Sequence, residues 1–415
     1  MVSPSVFAPR TRFLSGGCLY YVYCLCPFIF APAWLLQAER RARRVRCPVY
    51  VRHIVRRQTE TRSVLQTVSR MEAPTFKGYF ESPLACFNRL QKAQTEPLSK
   101  EKFAVFLGSL FTDFENADPA GDKEDVVEKL FKIFDRNQDG KLDYSEFEAM
   151  WEQWVVPMLR PKCAFVAVDI QNDFISGSLS LKNIPAGRDP ERVVTVINDL
   201  TEHLPFDVVV YTFDWHPKDH ISFFENKHCR AFHPSSKVSA QDARVLDTVV
   251  FCDPCSESGC VEQTLWPSHC VQGSWGAQLH KDLRLADKAL KIYKGDNTDV
   301  DSYSAFWDNA RRFETSLHSE LRNRGITTVF VCGLAYDICV AFTALHALDL
   351  GYGTILVESA SCGTSEEAEE KMKRRLQDQL CLIVDSSEVA DLVSGKKRPW
   401  RLGLQLAKAS APQMC

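Results

Sequence analysis

From Lys162 onward the chain repeats one device that restricts its fold more than any other feature. Six short apolar runs, "CAFVAVDI" (163–170), "DVVVYTFDWH" (207–216), "KALKIYKG" (288–295), "TTVFVCGLA" (327–335), "GTILVES" (353–359) and "LCLIVDS" (380–386), are separated by stretches with helical spacing. Runs that stay apolar without alternating must be covered on both faces, which is the situation of a parallel strand between helix layers. The spacing therefore predicts an α/β block over 162–395, with a three-layer, mostly parallel sheet and helices on both faces. In such sheets, ligands gather beyond the carboxyl ends of the strands, so those ends are where chemistry is expected.

Ahead of this block the pattern is helical. "FNRLQKA", "KEKFAVFLGSLFTDF" and "KEDVVEKLFKIF" carry apolar residues at i, i+3 and i+4. The helical region is expected over 71–156, with a Pro-bearing linker at 157–162 (Pro157, Pro161). Within it, "DRNQDGKLDYSE" (135–146) matches a calcium-binding helix–loop–helix loop. Asp135, Asn137 and Asp139 supply side-chain oxygens, Lys141 its carbonyl, Asp143 the ninth position and Glu146 a bidentate carboxylate. Gly140 allows the sharp turn. Such hands pair. Aligning "PLSKEKF" (97–103) with "KLDYSEF" (141–147) puts Lys102 where Glu146 stands, so 91–102 is expected to be a partner hand that packs but holds no calcium. The fold class is thus an all-α hand pair followed by the α/β block.

Residues 1–70 are a different kind of sequence. They hold twelve Arg, no Lys and two acids, a net of +10, against −13 for the remainder. An uncharged run at 13–38 followed by "ERRARRVR" could serve as a membrane or organelle-targeting segment, or be a dispensable basic extension. The sixteen cysteines are scattered, several of them in apolar runs (Cys163, Cys332, Cys381), where a thiol acts as a small hydrophobe. That usage predicts a reducing, cytoplasmic setting. The tail 396–415 opens with "KKRPWR", either a nuclear address or a solvated charge run, and is expected to be loosely held. No basic groove with interleaved aromatics points to nucleic acid. A homo-oligomer is compatible with the pattern and not required by it.

Five strand or loop ends carry reactive side chains: Asp169 after the first run, Asp214 and His216 after the second, Lys294 after the third, Cys339 after the fourth, and His269 in "LWPSHCVQGSWGAQLH". Taken singly, each is more often a cap, a surface charge or a packed thiol; together they are not. The motifs "DIQNDF", "DWHP..HISF", "WPSHCVQGSWGAQLH", "KG....DSYSAF" and "GLAYDICVAFTAL" resemble those of the isochorismatase-like cysteine amidohydrolases, and within them the nicotinamidases. The hand region ahead of the hydrolase resembles the animal nicotinamidases, so the resemblance covers 75 to about 390.

The resemblance implies a fold, an activity and a site. The activity is hydrolysis of nicotinamide to nicotinate and ammonia through a cysteine thioester, in NAD salvage. The triad would be Asp169, Lys294 and Cys339, with an oxyanion hole near Ala335 and Cys339. A divalent transition metal (zinc, with iron or manganese as alternatives) would sit on Asp214, His216 and His269. Ser222 and Glu225 are further candidates for that metal, and Phe174, Trp215 and Tyr303 for holding the substrate ring. Lys294 and a helix N-terminus would lower the Cys339 pKa. Two alternatives stay open: another small amide, pyrazinamide-like or carbamoyl, as substrate, or a calcium-sensing protein without enzymatic activity. Cys252, Cys255 and Cys260 could suggest a second zinc, but lack a fourth ligand and read as thiols on a surface insertion.

Overall fold

The computed structural model describes residues 80–91, 96–116, 122–184 and 187–410. The basic extension 1–70, with its uncharged run, lies outside the described residues. Among the described residues no helix is long and apolar enough to cross a membrane.

The helical region contains α1 (Pro83–Leu90), α2 (Lys100–Leu110), α3 (Asp122–Phe134) and α4 (Tyr144–Met150). Caps set where they start. The Ser82 hydroxyl accepts from Ala85 N with Pro83 in the first turn, and Ser99 caps α2. Asp143 and Glu146 form a reciprocal capping box at the start of α4. The chain leaves α4 through a π turn, Trp151–Val155, and a last helical turn, Val156–Leu159. Half of the expected linker, Pro157–Leu159, is therefore helical and continues the π turn that precedes it.

Two strips of backbone join the hands. Leu98 and Leu142 exchange N–H···O bonds of 2.7 and 2.9 Å. These residues stand at the eighth position of loops 91–102 and 135–146, so the pairing puts the two loops back to back. The Lys102 Nζ donates to Gln91 Oε1 at 2.5 Å, tying the last position of the first loop to its first position. An ammonium thus sits where the second loop offers a carboxylate.

The α/β block is a six-stranded parallel sheet of β1 (Cys163–Val168), β2 (Val208–Asp214), β5 (Leu290–Lys294), β6 (Thr328–Leu334), β7 (Gly353–Cys362) and β8 (Leu382–Val384). Their order is β5-β2-β1-β6-β7-β8, all neighbours parallel. Each predicted run is a strand. A separate antiparallel hairpin, β3 (Thr248–Cys252) with β4 (Cys260–Thr264), carries the cysteine-bearing insertion.

Alternation along β1 divides the core. Phe165 and Ala167 face α5 (Glu191–His203), while Ala164, Val166 and Val168 face α6 (Leu317–Asn323), α7 (Ala341–Asp349) and α8 (Glu366–Asp378). The chain winds from β1 outward to β5, then crosses back to β6 on the other side of β1. The reversal falls at β1 and β6, the switch point at which a crevice opens.

The C-terminal segment differs from expectation. After α9 (Val389–Val393), residues Trp400–Ser410 form α10, whose Leu402, Leu404, Leu406 and Ala407 are buried against the helical region and the sheet. Arg398, also buried, donates to Leu110 O at 2.7 Å and Gly395 O at 2.6 Å. Trp154 Nε1 donates to Gly403 O at 2.8 Å, and Gln405 accepts from Thr354 N at 2.5 Å. Basic composition suggested a solvated tail; the apolar face of α10 overrides it.

Candidate active site

Asp169 follows β1 and Ala335 follows β6, both with left-handed backbones (φ 53° and 55°). Non-glycine residues hold that conformation only where their surroundings enforce it. Gly333 explains how the two strand ends come so close. With φ 133°, any Cβ there would meet Val168 O at 2.2 Å, so only glycine lets β6 lie against the end of β1. Tyr336–Val340 then form a π turn leading into α7, and Cys339 lies at this helix start.

The side chains converge. Carboxylate oxygens of Asp169 and Asp214 and the Cys339 Sγ lie within 4.8 Å of one another. Lys294, 1% exposed, stands among them. Its Nζ pairs with Asp169 Oδ2 at 2.9 Å and with Asp214 Oδ1, and reaches Cys339 Sγ at 3.5 Å and Ser302 O at 3.1 Å. Thr212 Oγ1 donates to Asp169 Oδ1 at 2.6 Å, which orients the carboxylate.

The charges follow from that geometry. Burial disfavours ionisation of Asp214, but the Lys294 ammonium beside it opposes this, and its carboxyl is held well below the usual range. Burial likewise works against the Lys294 charge, and Asp169 and Asp214 more than restore it. Asp169 is raised, by complete burial and by the neighbouring Asp214. Cys339 contradicts its expected depression. Burial pushes its thiol well above the ordinary value, Asp169 and Asp214 add to this, and Lys294 only partly opposes it. An Asp169 carboxylate oxygen lies within 4.8 Å of this sulfur.

On the other side of Asp214 are two imidazoles. His216 Nδ1 donates to Gly295 O and His269 Nδ1 to Pro267 O, each at 2.8 Å. These carbonyls fix the tautomers, so both Nε2 lone pairs face Asp214 Oδ2, at 3.5 and 3.7 Å. Three electron-rich atoms turned toward one another fit a divalent cation, and the carbonyls act as the outer partners that orient metal-binding imidazoles. Gly295 is part of the cradle: a Cβ there would meet His216 Cε1 at 2.4 Å. Ser222 and Glu225 are otherwise engaged, Ser222 Oγ with His220 Nδ1 at 2.7 Å and Glu225 Oε2 with Ser268 Oγ at 2.7 Å. The metal-capable groupings among the described residues do not include Cys252, Cys255 or Cys260.

A cavity of about 380 Å³ opens onto Cys339, Asp214 and His269, walled mainly by apolar side chains. Phe174 and Tyr303 line it, as expected. Trp215 is not among the lining residues; it packs edge-to-face on Tyr293, with centroids 5.2 Å apart. Side chains alternate along an extended segment, so Asp214 and His216 facing the site send Trp215 the other way. The aromatic the sequence reading missed is Trp266, in the "LWPSH" stretch that ends in His269. Leu246, Ile338 and Thr264 complete much of the wall. His220, also missed, stacks on His216 at 4.1 Å between centroids.

The loop expected to bind calcium is ordered by hydrogen bonds to its own carboxylates. Asp135 Oδ2 accepts from Gly140 N at 2.9 Å, Asp139 Oδ1 from Lys141 N at 2.9 Å, and Glu146 Oε1 from Arg136 N at 2.9 Å. Gln138 and Gly140 take left-handed backbones. The oxygen set suits a hard cation.

A family model described as "Isochorismatase domain" matches residues 163–388, just over half of the chain. The chain belongs to the isochorismatase family. A second model, "EF hand domain", matches residues 126–153. The family members most similar to this chain include three nicotinamidases. That of Escherichia coli (strain K12) is 37% identical over 212 residues, which are 51% of this chain and 87% of the relative. That of Acinetobacter baylyi is 38% identical over 199 residues, 48% of this chain and 80% of the relative. That of Saccharomyces cerevisiae is 33% identical over 230 residues, 53% of this chain and 98% of the relative. All three matches span about half of this isochorismatase-family chain, as does the hydrolase model.

Proposed function

We propose that this chain is an amidohydrolase that converts nicotinamide to nicotinate and ammonia, the reaction of NAD salvage. The observation that carries this reading is the convergence of a thiol, a carboxylate and a buried lysine beside a two-histidine, one-carboxylate cluster, in a largely apolar cavity with room for an aromatic ring. The nicotinamidase relatives add independent support.

In this reading Cys339 Sγ attacks the carboxamide carbon while Asp169 takes the thiol proton. Proton transfer accompanies bond formation, since an Asp169 carboxylate oxygen lies within 4.8 Å of the sulfur. The tetrahedral oxyanion turns to the N–H groups at Ala335 and Cys339, each donor of this kind being worth about 3 kcal/mol. Asp169 returns its proton to the departing ammonia, leaving a thioester on Cys339. It then draws a proton from the water that releases nicotinate. Lys294 keeps the two carboxylates from repelling one another and holds Asp169 in place.

Phe174, Tyr303 and Trp266 would flank the pyridine ring. A divalent transition metal on Asp214, His216 and His269, zinc being our assignment, would supply a Lewis-acid seat for the ring nitrogen. Calcium on Asp135, Asn137, Asp139, Lys141 and Glu146 would stabilise the hand region.

The test is product formation. Purified protein given nicotinamide should release ammonia and nicotinate in equal amounts, and should act more slowly on pyrazinamide and on carbamoyl compounds lacking the ring. Turnover of the latter in preference to nicotinamide would replace the substrate assignment.

A further inference from the structure

The β3–β4 hairpin has no part in the reaction described, yet it brings two cysteines face to face. Cys252 and Cys260 are direct partners in its antiparallel register. The hydrogen bonds establish which kind of pair they form. Asp253 N donates to Gly259 O at 2.9 Å, and at the other end Leu265 N donates to Asp247 O at 2.9 Å. These bonds flank the pairs 252/260 and 248/264 from outside, so both are the narrow, non-hydrogen-bonded kind. At such pairs the Cα atoms are about 4.5 Å apart and the side chains are at their closest. The equivalent pair on the same face demonstrates it: Thr248 Oγ1 and Thr264 Oγ1 are 3.2 Å apart. A disulfide needs a Cα separation of roughly 4.4–6.8 Å, a window that this register meets.

Access is also suitable. Cys252 is exposed and Cys260 partly so, unlike the buried thiols of the sheet. The third thiol, Cys255, is exposed on the turn, where its N–H donates to Asp253 Oδ1 at 2.9 Å. It has no cross-strand partner in the register.

We infer that Cys252 and Cys260 are a modification site, a thiol pair that a peroxide or a small-molecule disulfide converts to a cross-strand disulfide. With peroxide, one thiol loses its proton and attacks an oxygen, the O–O bond breaks, and the departing hydroxide takes up that proton and leaves as water, giving a sulfenic acid. The second thiolate displaces its oxygen as another water. Two thiols are oxidised and one peroxide is reduced. The bond ties β3 to β4, and Thr264 of β4 and Leu246 just ahead of β3 line the cavity, so it pins that wall.

The full-length protein is treated with hydrogen peroxide or oxidised glutathione, its remaining thiols are alkylated, and it is cleaved after Glu257. That cut separates Cys260 from Cys252 and Cys255. Wild type and Cys255→Ser should both yield the two fragments joined through Cys252–Cys260, with loss of two hydrogens, reversed by a reductant. Cys252→Ser should yield none of that product. A predominant link through Cys255, or three thiols that remain singly alkylated after oxidation, would overturn the assignment. Because all three positions are on the hairpin surface, these variants leave the core intact, and connectivity is read without reference to activity.

Discussion

Lys294 is the residue on which most of the site depends. It is a buried ammonium between two buried carboxylates, Asp169 and Asp214, and it touches the thiol. Breaking a buried pair from one side costs about 3–5 kcal/mol, because a charge is left without its partner. Lys294→Met would leave two. It is expected to abolish turnover and to lower unfolding free energy by at least that range in a denaturant titration. Unchanged stability would mean that the carboxylates are not held ionised together. The same geometry explains why the convergence of these side chains was readable before the structure. Asp169, Asp214, Lys294 and Cys339 each follow an apolar run, and parallel strands deliver their carboxyl ends to one crevice. Thr212, Trp266 and Leu246 were not readable, since one is a strand residue like its neighbours and the others come from loops without periodicity. Trp215 was misassigned by proximity in sequence, against the alternation that Asp214 and His216 themselves obey. The direction of the Cys339 shift was not readable, because burial, invisible in sequence, opposes the lysine.

At the scale of elements, the two hands differ in what closes each loop. In 135–146 the ends meet through Glu146 Oε1, which accepts from Arg136 N and Asn137 N, whereas in 91–102 Lys102 and Gln91 bond directly. Calcium should therefore act on one hand alone, with the Leu98–Leu142 bridge carrying the effect to the other. A ligand bound only by the folded state adds about 2.7 kcal/mol at a hundredfold excess over its Kd. Calcium is expected to raise the melting temperature of the wild-type protein, and Glu146→Gln should remove most of that rise. An equal rise in the variant would place calcium elsewhere. The EF-hand loop was legible because its pattern is local in sequence. The α10 helix was not, although Leu402 and Leu406 stand one turn apart, because Lys396, Lys397, Arg398 and Arg401 dominate the composition just before and within its first turn.

Across residues 80–410, that helix joins what the sequence divides. Trp154 of the hand region bonds to Gly403, Arg398 reaches the end of α2, and Gln405 bonds to β7 and to Leu380 O. One continuous core runs from Phe103 and Phe147 through Leu406 to Phe330. Hand region and hydrolase are therefore expected to melt in a single transition. At Gly403 a Cβ would meet the Phe111 ring at 2.3 Å. Forcing extra volume into such packing costs about 1–3 kcal/mol. Gly403→Ala should lower the melting of both parts together by calorimetry; a split into two transitions would show that they are independent. The sheet order places Asp169 and Cys339 at the switch point of the parallel sheet, and the proposed reaction needs both. The most direct measurement is ammonia release from nicotinamide by wild type and Cys339→Ala side by side, with circular dichroism on each. The account predicts full turnover in the first, none in the second, and the same spectrum for both. Ammonia release by a folded Cys339→Ala protein would contradict it.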